Sequence, residues 1–360
     1  MTLLSDRVSG RDNNLNLMRM LAATAVLVSH SFALATGDPS TEPLRTWLGV
    51  TPGTIAVDLF FIISGLLVTQ SLDRQSSLTR FIRARFFRIW PGLTVAIVLS
   101  VGLLGLAFST LPLTEYLSHR QTWRYLAANI SVVHHTEYLL PGVFADNPAA
   151  GAVNGSLWTL KHEVRCYVYL LTAWCLFQRY MGNRWWTIFV LSALGITGVG
   201  HLLALQEQDL ESSPWRLYAM FAAGTAMYTF RERIRFGPSA LFAAFILIAI
   251  AAESNKLLFG VAYSLLMPWL ALGLAYIPTL QLQKYSYAGD YSYGMYIYAF
   301  PVQQAILALI PGCGWMELML LSFCTTFSLA SLSWHLIEKP GMAWGADPKK
   351  QHTLSKGQVL

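Results

Sequence analysis

The chain has 360 residues, of which 54% are hydrophobic and only 12% charged, and its mean hydropathy is +0.45. A soluble globular protein carries roughly 25% charged residues, so this composition excludes a water-facing surface over most of the molecule and selects the bilayer as solvent. The net charge of +6 would raise nucleic acid as a partner for a soluble protein; here it is read through membrane topology, and no nucleic-acid partner is expected.

Crossing about 30 Å of hydrocarbon at 1.5 Å per residue takes about 20 residues of helix. Ten stretches qualify, near residues 15–36, 54–72, 89–109, 156–178, 185–204, 214–230, 238–253, 257–277, 291–310 and 316–337, the sixth and seventh being short. Trp47, Trp90, Trp185, Trp186, Trp215, Trp315 and Trp344 mark run ends, as expected of rings that favour the interface. The pattern predicts an all-α polytopic transmembrane bundle over residues 1–340, with a short cytoplasmic tail over 341–360. The first run is too long for a signal-peptide core and lacks a convincing cleavage site, so it is read as a span. With the N-terminus inside, inside segments hold most of the 25 Lys and Arg, from Arg7 and Arg11 through the Arg74–Arg88 cluster to Lys284, Lys339, Lys349, Lys350 and Lys356. The outside set is Arg45, Arg120, Arg124, Lys161, Arg165, Arg216 and Lys256, joined there by Glu207, Asp209, Glu211 and the long loop of roughly 110–155. By the positive-inside rule this predicts an inner (plasma) membrane protein with both termini cytoplasmic.

Charge near the bilayer centre costs about 2.5–3.5 kcal/mol on insertion scales, so a buried ionisable residue is a functional candidate by default. The first span carries Arg19 and His30. Eleven steps of 100° bring both to within roughly 20° of one helix face, about 16 Å apart along the axis, with Arg19 nearer the cytoplasm. Taken alone, Arg19 also fits an interfacial snorkelling arginine, and His30 a hydrogen-bonded interhelical histidine. Asp58 lies in the outer half of the second span, as a second carboxylate for a site or as a tie between helices. Arg74, Arg80, Arg83, Arg85 and Arg88 follow on the inside. Arg85 and Arg88 share a helix face. They read as anionic-lipid anchors or as a phosphate site, since guanidinium grips phosphate bidentately.

The fourth span enters from outside through Ser156-Leu157-Trp158-Thr159-Leu160 to Lys161, His162 and Glu163. Glu163 falls at a depth comparable with His30 and Asp58, either as a site carboxylate or as an ion-pair partner of Lys161 or Arg165. His119, His134 and His135 of the outer loop lack metal-ligand spacing and read as solvated; His201 and His335 read as hydrogen-bonding residues near span ends. Cys166, Cys175, Cys313 and Cys324 form no C-x-x-C pair, so neither a metal nor a redox centre is expected. The depths suggest phosphate-competent arginines at the inner face and a base with carboxylates in the outer half. Phosphorylated acyl donors are supplied on the inside, while glycan acceptors can lie outside.

At this point the chain resembles the acyltransferase-3 family of membrane acyltransferases, over nearly its whole length. The resemblance rests on the Arg19–His30 spacing, on Val57-Asp58-Leu-Phe-Phe-Ile-Ile-Ser64-Gly65, and on Arg85-Phe-Phe-Arg88-Ile-Trp-Pro91. It continues through Ser156-Leu-Trp-Thr-Leu160 with Glu163, Ser292-Tyr-Gly-Met-Tyr296 and Ile337-Glu-Lys-Pro340. It implies transfer of an acyl group, usually acetyl, from acyl-coenzyme A to a carbohydrate hydroxyl such as those of O-antigen, exopolysaccharide, peptidoglycan or nodulation-factor sugars. It further implies that Arg19 and His30 are an essential pair and that Arg85 and Arg88 contact the donor. One departure stands out: many members carry a histidine two residues before the ninth-span proline, where this chain has Ala299-Phe300-Pro301. Members with an extracellular hydrolase-like domain extend further, so here the membrane domain is expected to complete the transfer itself.

The mechanism expected is therefore donor phosphates on Arg19, Arg83, Arg85 and Arg88, His30 as general base on the acceptor hydroxyl, and Glu163, or alternatively Asp58, orienting the imidazole. A transient acyl-histidine is the variant route. The partners expected are acyl-CoA, a carbohydrate acceptor and membrane lipids, without metal; a homo-oligomer is compatible with this reading. The rivals are a polytopic transporter or flippase for a charged or glycan substrate and a non-catalytic lipid-binding scaffold.

Overall fold

The computed structural model describes residues 2–345, apart from 9, 11, 12, 75, 76, 134, 207–212, 277–284 and 286–288. Of the residues named above, Arg11, His134, Glu207, Asp209, Glu211, Lys284, Lys349, Lys350 and Lys356 lie outside the described residues.

The architecture is all-α. Among the described residues, the principal helices are α1 (Leu15–Thr36), α2 (Pro52–Arg74), α3 (Leu78–Phe108), α4 (Leu113–Ser118), α5 (Arg120–Ser131), α6 (Leu160–Ala173), α7 (Asn183–Gln206), α8 (Pro214–Thr229), α9 (Pro238–Ser254), α10 (Lys256–Tyr276), α11 (Ser292–Leu309) and α12 (Trp315–Gly345). Two short strands, β1 (Thr2–Leu3) and β2 (Arg235–Phe236), pair antiparallel. Each of the ten expected spans is helical, and α1, α2, α3, α7, α10 and α12 are long and apolar enough to cross a membrane. The other four depart for visible reasons. Lys161, Glu163 and Arg165 fall in α6, α8 and α9 are short, and α11 carries Gln303 and Gln304 in its interior.

Two helices overrun their expected ends. α3 begins eleven residues before the apolar stretch that marks it, because its arginine-rich start is polar yet helix-forming. α12 continues past Pro340 to Gly345 through a π-helical turn at Trp334–Glu338, so the expected boundary at 340 falls inside a helix.

The chain groups into two compact units: Met1–Ala22 with Leu44–Ser76 and Arg165–Ala288, and Ala23–Pro43 with Ser77–Val164 and Gly289–Leu360. In the first unit α2 and α8 approach closely. A Cβ placed on Gly65 would meet the Phe221 carbonyl oxygen at 2.1 Å, and one on Gly224 would meet the Ile62 carbonyl oxygen at 2.1 Å. Small residues let backbones meet where lipid offers no hydrophobic drive between helices. Thr69 adds a hydrogen bond to Thr225 at 3.2 Å.

In the second unit α11 packs against α12, α3 and the short 3₁₀ turn Gly155–Thr159. The segment expected to form the outer loop folds as α4, α5 and a turn-rich return. The buried Tyr116 donates its hydroxyl to the Val101 carbonyl at 2.9 Å. Burial pushes that phenol up to about 12, so it stays a donor at any physiological pH.

Candidate active site in the second unit

α11 holds the second unit's polar groups in register. Pro301 lacks an N–H, so the carbonyl four residues earlier, that of Ile297, has no helical partner. Asn154 supplies one, donating to Ile297 at 2.9 Å, while its side-chain oxygen accepts from the Ser156 amide at 3.1 Å and caps the Gly155–Thr159 turn. Tyr296 fixes the same turn, with its hydroxyl 2.7 Å from that of Thr159 and donating to the Ser156 carbonyl at 2.9 Å. The Ser156-Leu-Trp-Thr-Leu160 motif is thus fastened to the Ser292-Tyr-Gly-Met-Tyr296 helix, and Glu163 follows in the first turn of α6.

Toward its start α11 meets the arginines of α3. Arg88 donates to Asp290 at 2.5 Å and lies 5.7 Å from the Tyr293 ring centre. Asp290 also accepts from the Ser292 amide at 3.3 Å and from its hydroxyl, so one carboxylate caps the helix start and holds a guanidinium. Arg83 turns to the end of α12, donating to the Trp344 carbonyl at 2.7 Å. Arg85 is half-buried, with its Nε out of solvent and no hydrogen bond made by that atom among the described residues. Tyr293 donates to the Ile89 carbonyl at 2.8 Å. Its hydroxyl lies within electrostatic reach of Glu338, Glu163 and Arg88. Glu338 is buried and accepts from Ser333 at 2.8 Å.

Further along its length α11 meets His30. The half-buried imidazole packs edge-on against Phe300, with ring centres 5.2 Å apart at 78°. A Cβ on Gly155 would lie 2.6 Å from the same phenyl ring, so Phe300 is wedged between His30 and the fastened turn. One turn further along α11, Gln303 donates to the Leu27 carbonyl at 2.8 Å and to Ser31 at 2.7 Å, which fixes the stretch of α1 that carries His30.

Other expected residues have different surroundings. Arg19 and His30 share the unbroken α1, but Arg19 is half-buried in the first unit and His30 belongs to the second. Asp58 is fully buried in the first unit, where one carboxylate oxygen pairs with Arg216 and the other accepts from Tyr263 at 2.9 Å. Arg216 also donates to the Thr54 carbonyl at 3.1 Å. Asp58 therefore ties α2 to α8 and α10. Arg216, assigned by topology to an outer segment, is a buried helical residue.

Among the histidines, His119 accepts from the Gln121 amide and caps α5. His135 pairs with Glu137 at 2.7 Å beside Arg124. His201 meets Ser264 at 2.9 Å and His335 meets Tyr291 at 3.4 Å. Among the described residues no group of three His, Cys, Asp or Glu side chains could hold a metal ion.

Asp290, Phe300, Asn154 and Gln303 were not anticipated from the sequence. Asp290 left a signal, as an acid beside the Ser292-Tyr-Gly-Met-Tyr296 motif. Phe300, Asn154 and Gln303 left none that distinguishes them from ordinary span and loop residues.

A family model described as an acyltransferase domain matches residues 12–341. An "O-acetyl transferase" of Shigella phage Sf6 is 30% identical over 335 residues, covering 91% of this chain and 96% of that protein. "Nodulation protein 10" of Rhizobium leguminosarum bv. viciae is 29% identical over 379 residues, covering 94% and 95%. No solved structure matches. The match runs through every motif fastened to α11, and the chain belongs to the acyltransferase-3 family of membrane acyltransferases.

Proposed function

We propose that this acyltransferase moves an acetyl group from cytoplasmic acetyl-CoA to a hydroxyl of a cell-surface or lipid-linked carbohydrate, within the inner membrane and with both termini cytoplasmic. One observation carries the reading. α11 touches Arg88 through Tyr293 near its start and His30 through Phe300 seven residues later, a separation of about 10 Å along the helix. A cationic group for phosphate, carried by α3, and a base for a hydroxyl, carried by α1, thus pack against the same helix. The name of the phage relative supports an O-acetyl product.

In this reading Arg85 and Arg88, with Arg83, grip the coenzyme's phosphates. His30 takes the proton of the acceptor hydroxyl as its oxygen attacks the thioester carbonyl. The C–S bond breaks, and the departing thiolate receives the proton from the imidazolium. Glu163 stabilises that imidazolium, the role of a triad carboxylate. Asp58, with both oxygens engaged in the first unit, has a structural role and no part in the proton transfer.

The test is acetyl transfer from labelled acetyl-CoA by membranes carrying His30→Ala. Loss of about 10²–10⁴-fold at normal expression is expected, and near wild-type transfer would sink the assignment. Exchange of acetyl-CoA by detergent-purified protein, with no gradient present, separates an enzyme from a transporter.

A further inference from the structure

A cavity of about 600 Å³ opens at the outer end of the second unit, within the range of small-molecule sites, about 300–1,000 Å³. The ends of α1 and α3, the loop Phe144–Pro148, and the turn from α11 into α12 line it. One side chain and one loop in its wall are held in place before any ligand arrives. Trp315 is backed by Phe32, stacked at 4.2 Å and 18°. Asp146 sits in a loop that is anchored immediately after it. Next to it, Asn147 donates to the Gln304 carbonyl at 2.9 Å and to its side-chain oxygen at 2.7 Å, and Gln304 donates back to Ala149 at 3.0 Å and Ala152 at 2.8 Å.

The loop also stores strain. Phe144 is buried at φ +55°, a left-handed conformation that costs a bulky residue about 1–3 kcal/mol and that clusters at ligand clamps. Among the described residues, no hydrogen bond or ion pair occupies the Asp146 carboxylate, and no Lys, Arg or His lines the cavity.

A rigid indole beside an open carboxylate, with no cation, suits a ligand that has an apolar face, hydroxyl donors on its edge and no negative charge. A neutral sugar ring or an amino sugar meets that description; a phosphate or a uronic acid does not. The cavity shares Leu307 and Cys313 with the apolar cluster that contains Phe300, the residue against His30. Thr36 in its wall lies six residues beyond His30, about 9 Å along α1. The cavity is therefore one packing layer outward from the base. We propose that it is a flanking acceptor subsite, which binds a neutral or amino sugar next to the one that is acylated and so selects the glycan. Asp146 accepts hydrogen bonds from the ring's donors, and Trp315 covers its apolar face. This rests on the acyl-transfer reading above and adds the part of the acceptor that is recognised.

The experiment uses the full chain in nanodiscs. The probe is surface polysaccharide from the cells that carry the protein, saponified to strip existing acyl groups. Transfer from acetyl-CoA is measured against polysaccharide concentration for wild type, Asp146→Asn, Asp146→Glu and Trp315→Ala, together with direct binding of the polysaccharide by interferometry. Asp146→Asn and Trp315→Ala are expected to raise the acceptor KM about tenfold and weaken binding to match, with the acetyl-CoA KM unmoved. Asp146→Glu should recover part of the loss. Oxidising the sugars' primary hydroxyls to carboxylates should weaken binding to wild type more than to Asp146→Asn. Normal transfer with an unmoved acceptor KM in both variants overturns the subsite and leaves the proposed function standing. Binding that depends on Asp146 without any acetyl transfer does the reverse. Absence of both binding and transfer in wild type overturns both.

Discussion

Arg88 already holds a carboxylate. With side chains 14% and 8% exposed, the Arg88–Asp290 pair is largely withdrawn from water, and a donor phosphate must either share the guanidinium's remaining N–H groups or displace Asp290. Asp290→Asn keeps an oxygen to cap α11 while removing a negative charge that opposes the phosphates. It is expected to lower the apparent KM for acetyl-CoA by about tenfold, corresponding to roughly 1.4 kcal/mol, in initial-rate assays on membranes. A raised KM would mean that the pair's purpose is to aim the guanidinium. At this scale the sequence was informative about chemistry and silent about partners. His30, Glu163 and Arg88 stand out because ionisable groups are rare in spans. That Asp58 belongs to Arg216 and Tyr263 depends on packing between segments up to 205 residues apart, which no local pattern encodes.

Pro301 matters at the scale of the helix. Two residues earlier, where the resemblance would have placed a histidine, this chain has Ala299, which is buried, and the proline frees the Ile297 carbonyl for Asn154. Pro301→Ala restores an N–H that competes for that carbonyl, a hydrogen bond worth about 1 kcal/mol. The expected result is a protein at least as thermostable in detergent, with acetyl transfer reduced about tenfold as the Gly155–Thr159 turn loosens; unchanged transfer would show that Tyr296 suffices to hold it. In the first unit, Gly65→Ala puts a methyl group against a carbonyl of α8. It should cost about 1–3 kcal/mol as an overpacked contact, seen as a lower melting temperature and less protein in the membrane. Hydropathy marks apolar lengths, so it found each helix but missed the arginine-rich start of α3 and the continuation of α12 beyond Pro340.

For the protein as a whole, charge alternation predicts an orientation that labelling can test. In a background lacking Cys166, Cys175, Cys313 and Cys324, a cysteine at exposed Arg120 should react with an impermeant maleimide from outside intact cells. One at exposed Arg83 should react only after the membrane is opened. The opposite pattern would invert the topology and separate the arginines from the cytoplasmic donor pool. The all-helical architecture was legible because composition and span length follow from the bilayer alone. The division into two units was not, because each is assembled from three separate stretches of chain through contacts such as the one between Gly65 and Phe221.

The Asp58–Arg216 pair has a consequence for biogenesis. Its members are 158 residues apart, so at about 5–20 residues per second a ribosome needs roughly ten to thirty seconds to deliver the guanidinium after the carboxylate. During that interval α2 holds an uncompensated acid that hydrocarbon rejects. Closure of the first unit therefore has to wait for α8, and a ribosome stalled between the two helices would leave a half-built membrane protein exposed to quality-control proteases.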